Sequence, residues 1–333
     1  IMKICIIKTD RMGDMILTLP AIEAIKKDTN NIVHVVSSEK NFKIVSDYSL
    51  IDKIFLFKPG LKQFILLALK LRKENYDIIY NFAPYKSSFF LTYFSKSKLK
   101  STVIHLSRSK KIFSKLFLRI FASIFFDKKF VVNRLKCASK KEDFHQTSII
   151  FKVIKSDLPQ IKERGRIKFF FKYEQNLNFV DNSILIHLTS RWLHKKYSEE
   201  NLLYLIEQLL KKNLKIFLTT DESTKNRFPK IFKLFKKIEF KYIKNLYLNE
   251  KILILENINI QQLSELTNKV EIVLTPECGL LHIAGMCECK LIVIYDGYYF
   301  PKMMMHEYSP WKKKYYPLIS TQENLNKNIL ELI

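Results

Sequence analysis

The chain alternates short apolar runs with longer segments in which apolar residues recur every three or four positions. Residues 3–8 (KICIIK) form an Ile-rich run that predicts a buried strand, closed by Thr9-Asp10 and a turn at Gly13. Residues 15–27 take helical spacing, with Pro20 either kinking the helix or sitting in its first turn. Strands are expected at 31–36, 52–57, 76–80 and 101–106, and a helix over 61–73. The pattern blurs between 107 and 180, where a long loop or inserted helix and the crossing to a second domain are expected. It returns as strands at 183–188, 214–220, 270–275 and 290–295. Helices are expected at 199–212, capped by Ser198, at 257–268, from 279, and in the tail 321–332. This alternation predicts an α/β fold: two doubly wound, mostly parallel domains in tandem.

The length of 333 residues accommodates two domains, and the 47% apolar content supplies a core for each. Charge changes the picture more. The formal net charge is +25. It is concentrated in the first half: residues 1–172 hold 35 basic against 14 acidic residues, and over 96–141 Asp127 is the only acid. Such a field favours a large anionic partner on the N-terminal half, although a Lys-biased genome would leave the same mark. The segment 108–129 mixes Lys and Arg with Phe, Leu and Ile. Its apolar run is too short to span a bilayer, but as an amphipathic helix it could lie on an anionic membrane; the alternative is an ordinary helix with its basic side in water. The rival class, a basic nucleic-acid-binding protein, gains from the charge and the aromatics, but no RNA- or DNA-binding module is legible. The five cysteines are scattered and match neither a disulfide framework nor a four-ligand zinc site, which fits a reducing cytoplasm.

Two loops carry the candidate chemistry. In open parallel sheets, ligands sit beyond the carboxyl ends of the strands. The first such loop is KTDRMGD, residues 8–14. Gly13 permits a tight turn, and Asp14 stands near a helix start. There it either caps the helix or accepts a proton from an activated hydroxyl. Lys8 and Arg11 could hold an anion nearby. The second site gathers from three strand ends. Thr189, Ser190, Arg191, Lys195 and Lys196 follow 183–188, Asp221 and Glu222 follow 214–220, and Glu277, Cys278, Gly279 and His282 follow 270–275. Hydroxyls, lysines and the helix amides at Gly279 suit a diphosphate, and a carboxylate among them suits sugar hydroxyls. Together they describe a nucleotide-sugar site, with His282 either facing the ligand or bonded structurally inside its helix. The chain lacks the dinucleotide fingerprint, the phosphate-binding P-loop and the serine elbow. It also lacks an Asp-x-Asp pair, so no metal and no cofactor beyond the nucleotide-sugar donor is expected.

The stretches MGDMILTLPAI (12–22), HLTSRWLHKKYSEE (187–200) and ECGLLHIA (277–284), in this order and spacing, resemble the heptosyltransferase family, glycosyltransferase family 9. The resemblance implies a GT-B fold: two Rossmann-like domains facing a central cleft. The boundaries expected are 1–175 for an acceptor domain, 176–320 for a donor domain, and 321–333 for a helix returning to the first. It implies inverting transfer of a sugar, ADP-heptose being the expected donor, onto an anionic glycolipid of the lipopolysaccharide inner core. The enzyme would work at the cytoplasmic face of the inner membrane, as a peripheral protein with no nucleic-acid partner. Asp14 takes the place of the general base, and Thr189 and Ser190 that of the hydroxyl pair on the donor phosphates. Lys195, if one inserted residue is allowed before it, or else Lys196, takes that of the lysine that steadies the leaving diphosphate. Glu222 corresponds to the ribose-binding acid, and Gly279 and His282 to the donor-binding turn. The chain departs from the family by writing Glu277-Cys278 for Asp-Thr and Tyr197-Ser198 for Trp-Pro. A different nucleotide sugar is therefore the alternative reading.

Overall fold

The fold is that of a computed structural model, which describes residues 1–106, 120, 122–178, 180–194, 197–220, 222–246 and 249–333. The chain divides into two compact units, Ile1–Ile167 with His306–Tyr308, and Lys168–Met305 with Ser309–Ile333.

The first unit is built on a six-stranded sheet. Its strands are β1 (Lys3–Ile7), β2 (Ile32–Ser38), β3 (Lys53–Phe57), β4 (Tyr76–Asn81), β5 (Ser97–His105) and β6 (Lys128–Val132), arranged β3-β2-β1-β4-β5-β6. Every pairing is parallel. This order reverses direction between β1 and β4, which makes the end of β1 the switch point where an open sheet leaves a crevice. Helices cover both faces, so β1 is buried from Ile4 to Ile7 and reads as an unbroken apolar run. Burial pushes the Cys5 thiol up to about 12, which keeps it neutral in this core. Pro20 does not kink one long helix. It opens a second one: Met12–Ile16 ends, and Leu19–Thr29 starts with Pro20 in its first turn, where the missing N–H costs nothing.

The second unit carries β7 (Val180–Leu188), β8 (Lys215–Thr220), β9 (Lys237–Glu239), β10 (Ile252–Glu256), β11 (Val270–Pro276), β12 (Lys290–Tyr295) and β13 (Tyr316–Ile319). Their order is β13-β12-β11-β7-β8-β10-β9, again all parallel, with the switch between β7 and β11. The amphipathic helix Glu199–Lys211 buries Leu202, Leu205, Ile206 and Leu209 over this sheet. At its start, Asn201 Oδ1 accepts from the Ser198 N–H at 2.8 Å, and Glu199 turns inward to accept from the Ile231 N–H at 2.9 Å.

Two boundaries differ from those expected. The second unit begins at Lys168 rather than 176. The buried Glu265 carboxylate explains why: it accepts from the amides of Glu174, Gln175 and Leu177 at 2.6, 3.0 and 2.9 Å, pinning the incoming chain to this unit. The C-terminal helix Leu325–Leu332, expected on the first domain, lies in the second unit against Glu199–Lys211. Leu330 O accepts from Lys212 Nζ at 2.7 Å, and Asn326 bonds Asn201 O and the Tyr197 hydroxyl at 2.8 and 2.7 Å. The late segment that groups with the first unit is His306–Tyr308. Its Glu307 is buried, with Arg134 and Gln146 at 2.7 and 2.8 Å. Among the described residues no helix is long and apolar enough to cross a membrane.

Candidate active site

Both loops singled out in the sequence lie at the carboxyl end of the strand next to the switch point of their own sheet. In the first unit the chain leaves β1 under tight control. Lys8 N–H bonds Val36 O at 3.0 Å, and Asn41 Nδ2 bonds Lys8 O at 2.9 Å. The Lys8 and Asp10 side chains are 4% and 5% exposed and pair at 2.9 Å. Lys8 Nζ also donates to Phe82 O at 3.1 Å. Because Phe82 follows β4, this bond spans the switch point. The sequence offers Lys8 as a holder of an anion; in the structure it is neutralised internally by Asp10. Burial raises the Asp10 pKa, the Lys8 charge opposes that, and the Asp14 charge adds to it.

Asp14 is the third residue of the helix Met12–Ile16. It does not cap it: the N-cap position is Arg11, whose side chain makes no capping bond. Its backbone carbonyl accepts from Thr18 Oγ1 at 2.8 Å, while Oδ1 is buried and has no hydrogen-bond partner among the described residues. A buried acceptor with nothing to accept from is unfavourable for stability.

In the second unit β7 ends in a tight turn. Thr189 is buried; its hydroxyl accepts from the Arg191 N–H at 3.2 Å, and its carbonyl from the Trp192 N–H at 3.1 Å. Ser190 is half-buried beside it. Trp192 anchors the turn from below, with Nε1 donating to His187 O at 2.8 Å. His194 and Tyr197 exchange two backbone bonds of 3.1 and 3.0 Å. Lys195 and Lys196 lie outside the described residues, as do the side chain of Glu222 and most of the basic segment 108–129. Tyr197 is buried, its ring tilted against that of Trp192 with the centroids 5.7 Å apart.

The loop after β11 meets this turn. The Glu277 N–H bonds Ile294 O at 2.9 Å, which fixes the chain beside β12. Arg191 Nη1 then bonds both the carboxylate and the backbone carbonyl of Glu277, closing the switch point from above. Cys278 Sγ lies 3.3 Å from the Thr275 hydroxyl, and desolvation holds its thiol above the ordinary range, hence protonated. Gly279 opens the helix Gly279–Met286, and His282 sits buried one turn in. The structure thus brings Thr189, Ser190, Glu277, Cys278 and Gly279 to one edge. The pairing of Arg191 with Glu277 has no signal in the sequence. Nor does the edge-on contact of Tyr298, from the loop after β12, with His194 at 5.6 Å.

Residues 65–329 match the model of glycosyltransferase family 9 (heptosyltransferase). A lipopolysaccharide heptosyltransferase 1 from Campylobacter coli is 23% identical over 310 residues, covering 89% of this chain and 84% of the relative. Among solved structures, the E. coli heptosyltransferase WaaC with ADP superposes with a TM-score of 0.71 at 16% identity, covering 100% of both chains. The E. coli ADP-heptose lps heptosyltransferase II gives 0.73 at 13% identity, covering 99% of this chain and 97% of the other. At these identities the two superpositions establish the shared fold, GT-B, and nothing finer.

Proposed function

The chain belongs to glycosyltransferase family 9, and from that premise we propose that it transfers heptose from ADP-heptose, with inversion, to a hydroxyl of a lipopolysaccharide inner-core acceptor. The observation that carries the reading is the position of Asp14: a carboxylate at the switch point of its sheet, not used as a cap, with a buried oxygen left unpaired. Such a group can take the proton of an acceptor hydroxyl as it attacks the anomeric carbon. One displacement then forms the new glycosidic bond and releases nucleoside diphosphate. Thr189, Ser190 and the amides at Gly279 would meet the departing phosphates, and Lys195, or Lys196 beside it, would neutralise the charge that grows there. Glu222 would hold the ribose, Glu277 and Cys278 the sugar, and His282 the donor side of the turn. Heptose and lipopolysaccharide enter because the Campylobacter coli relative is a lipopolysaccharide heptosyltransferase; ADP enters because solved neighbours were determined with ADP or an ADP-heptose analogue.

One observation favours a second donor. Glu277 stands where the family writes Asp, and Arg191 already engages its carboxylate. The longer, tethered carboxylate would suit a sugar whose hydroxyls are placed differently from those of heptose. The deciding experiment is thermal unfolding of the full chain with a panel of nucleotide sugars, followed by release of nucleoside diphosphate in the presence of a lipopolysaccharide acceptor lacking heptose. ADP-heptose should raise the melting temperature most and support turnover. Stronger stabilisation by a UDP or GDP sugar would assign the other donor. The absence of any shift and any turnover would overturn the assignment. The cytoplasmic membrane face and binding through the basic segment 108–129 belong to the same proposal.

A further inference from the structure

The first unit presents an apolar face that its own core does not use. In the helix Leu61–Lys73, Leu67, Ala68 and Leu71 are buried, while Leu61, Ile65 and Leu69 are 76%, 47% and 52% exposed. A spacing of four puts these three on one stripe of helix surface. Phe64 meets Phe94 edge-on at 6.3 Å, joining this helix to Lys86–Phe94. There Phe90, Tyr93 and Phe94 are exposed as well. Phe90 and Tyr93 in turn meet the ring of Phe125 at 5.3 and 5.1 Å, and the neighbouring Ile124 is exposed. Single apolar side chains on a surface are ordinary; a continuous run over adjoining helices marks an interaction site.

The charges around the face select what covers it. Lys62, Lys70, Arg72 and Lys73 are exposed on the first helix, and Lys86 and Lys96 at the two ends of the second. No Asp or Glu occurs from 53 to 73, and none from 78 to 126. A second copy of the chain would bring the same cations and be repelled. A nucleic acid would pair with the lysines but gain nothing from a Leu-Ile-Leu stripe. A bilayer with anionic headgroups answers both features: phosphates for the cations, acyl chains for the aliphatic stripe, and the boundary between them for the aromatic rings. Both helices start at the carboxyl edge of the sheet, following β3 and β4, which is the edge that carries Asp14.

We propose that the face formed by Leu61–Lys73 and Lys86–Phe94 lies on an anionic phospholipid surface. The surface takes in Ile124 and Phe125 at the end of the segment 108–129, but it rests on the two helices rather than on that segment's cations, and the proposal stands whatever sugar the protein transfers. The test is co-sedimentation of the full-length protein with vesicles of phosphatidylglycerol and phosphatidylethanolamine, compared with vesicles of phosphatidylcholine alone. Wild-type protein should pellet with the first and stay in solution with the second. The triple variant Leu61→Ser, Ile65→Ser, Leu69→Ser keeps every charge. It should lose binding by about tenfold or more with its melting temperature held. As an independent readout, Ile65→Trp should add a fluorescence component that shifts to the blue on anionic vesicles only. Equal pelleting of the triple variant, or an unshifted emission from the introduced indole, would overturn the proposal. So would a wild-type dimer that the triple variant dissociates without change in vesicle binding, or displacement of the vesicles by RNA that binds wild type and triple variant alike.

Discussion

Arg191 bonds the carboxylate and the backbone carbonyl of Glu277 with the same guanidinium nitrogen, joining the turn after β7 to the turn after β11. The two residues are 86 positions apart in sequence, yet their strands are neighbours at the switch point. Glu277→Gln keeps the shape and removes the charge that Arg191 meets. The variant should raise the donor KM by about tenfold, the scale of one charge-assisted hydrogen bond, with a smaller change in kcat. Arg191→Ala should act in the same direction. Because both changes break one link, the double variant should lose little more than either single. Full additivity in steady-state kinetics would show that the residues touch the donor independently.

The unpaired oxygen of Asp14 leads to a sharper split. Asp14→Asn should lower kcat by about 10²–10⁴, the usual contribution of a positioned base. The thermal shift produced by the nucleotide sugar should stay within error of wild type, since the groups proposed to hold the donor belong to the second unit. A variant that still turns over at the wild-type rate would remove Asp14 from the chemistry.

The buried pair behind it makes a stability prediction. Asp10→Ala leaves Lys8 as a buried cation with Phe82 O as the remaining partner of its side chain among the described residues. Breaking such a pair from one side costs about 3–5 kcal/mol. Lys8→Met combined with Asp10→Leu removes both charges and should recover most of that loss in a urea melt. Equal destabilisation of the single and the double variant would mean that the loop, not the charge, sets the cost.

Much of this arrangement is legible in the sequence, and the exceptions have physical causes. The strands at 3–8, 183–188, 270–275 and 290–295 stand out because both sheet faces are covered, so nearly every position is apolar. The helix at 61–73 falls where its spacing puts it. By contrast β9 has three residues, β13 contains Pro317, and β6 has no fully buried residue; none offers a period long enough to read. The helix Lys86–Phe94 escapes a sequence reading because its outer face is aromatic rather than polar, which hides its amphipathic pattern. Asp14, Thr189, Ser190 and Gly279 stand at the strand ends the sequence places them at, and strand ends are where an open sheet places ligands. The Arg191–Glu277 and Lys8–Asp10 bonds cannot, since a pairing depends on which loops the topology brings together.

Gly297 illustrates a constraint that is invisible in the sequence. It follows β12, and its N–H bonds Ser320 Oγ at 3.0 Å. A Cβ built there would lie 2.1 Å from Thr321 Oγ1 and 2.8 Å from Thr321 Cβ, well inside van der Waals contact. Gly297→Ala should destabilise the protein by about 1–3 kcal/mol through overpacking. Adding Thr321→Ala removes the two nearest atoms but not Cβ, so it should restore only part of the loss. An undisturbed melting temperature in the single variant would show that the turn yields freely.

The pH dependence of stability should report on Glu74, which closes one end of the first sheet. Its carboxylate accepts from Lys53 Nζ at 2.5 Å and Lys3 Nζ at 3.0 Å. These bonds, the one from Lys53 above all, hold its pKa down to about 2 despite partial burial. In the unfolded chain the same group titrates near ~4.3. A folded pKa below the unfolded one means that the contribution is fully present above pH ~4.3 and is lost as the pH falls through about 2. After allowance for solvent screening, the contribution is roughly 1–2 kcal/mol. Asp52 and Asp77, also held below their ordinary range by lysines and backbone amides, add to the same acid slope. Glu74→Gln should therefore reduce, without abolishing, the fall of melting temperature between pH 5 and 2, and lower the plateau at neutral pH. A variant whose acid slope matches wild type would mean that the two lysines bond Glu74 no better in the folded protein than water does in the unfolded chain.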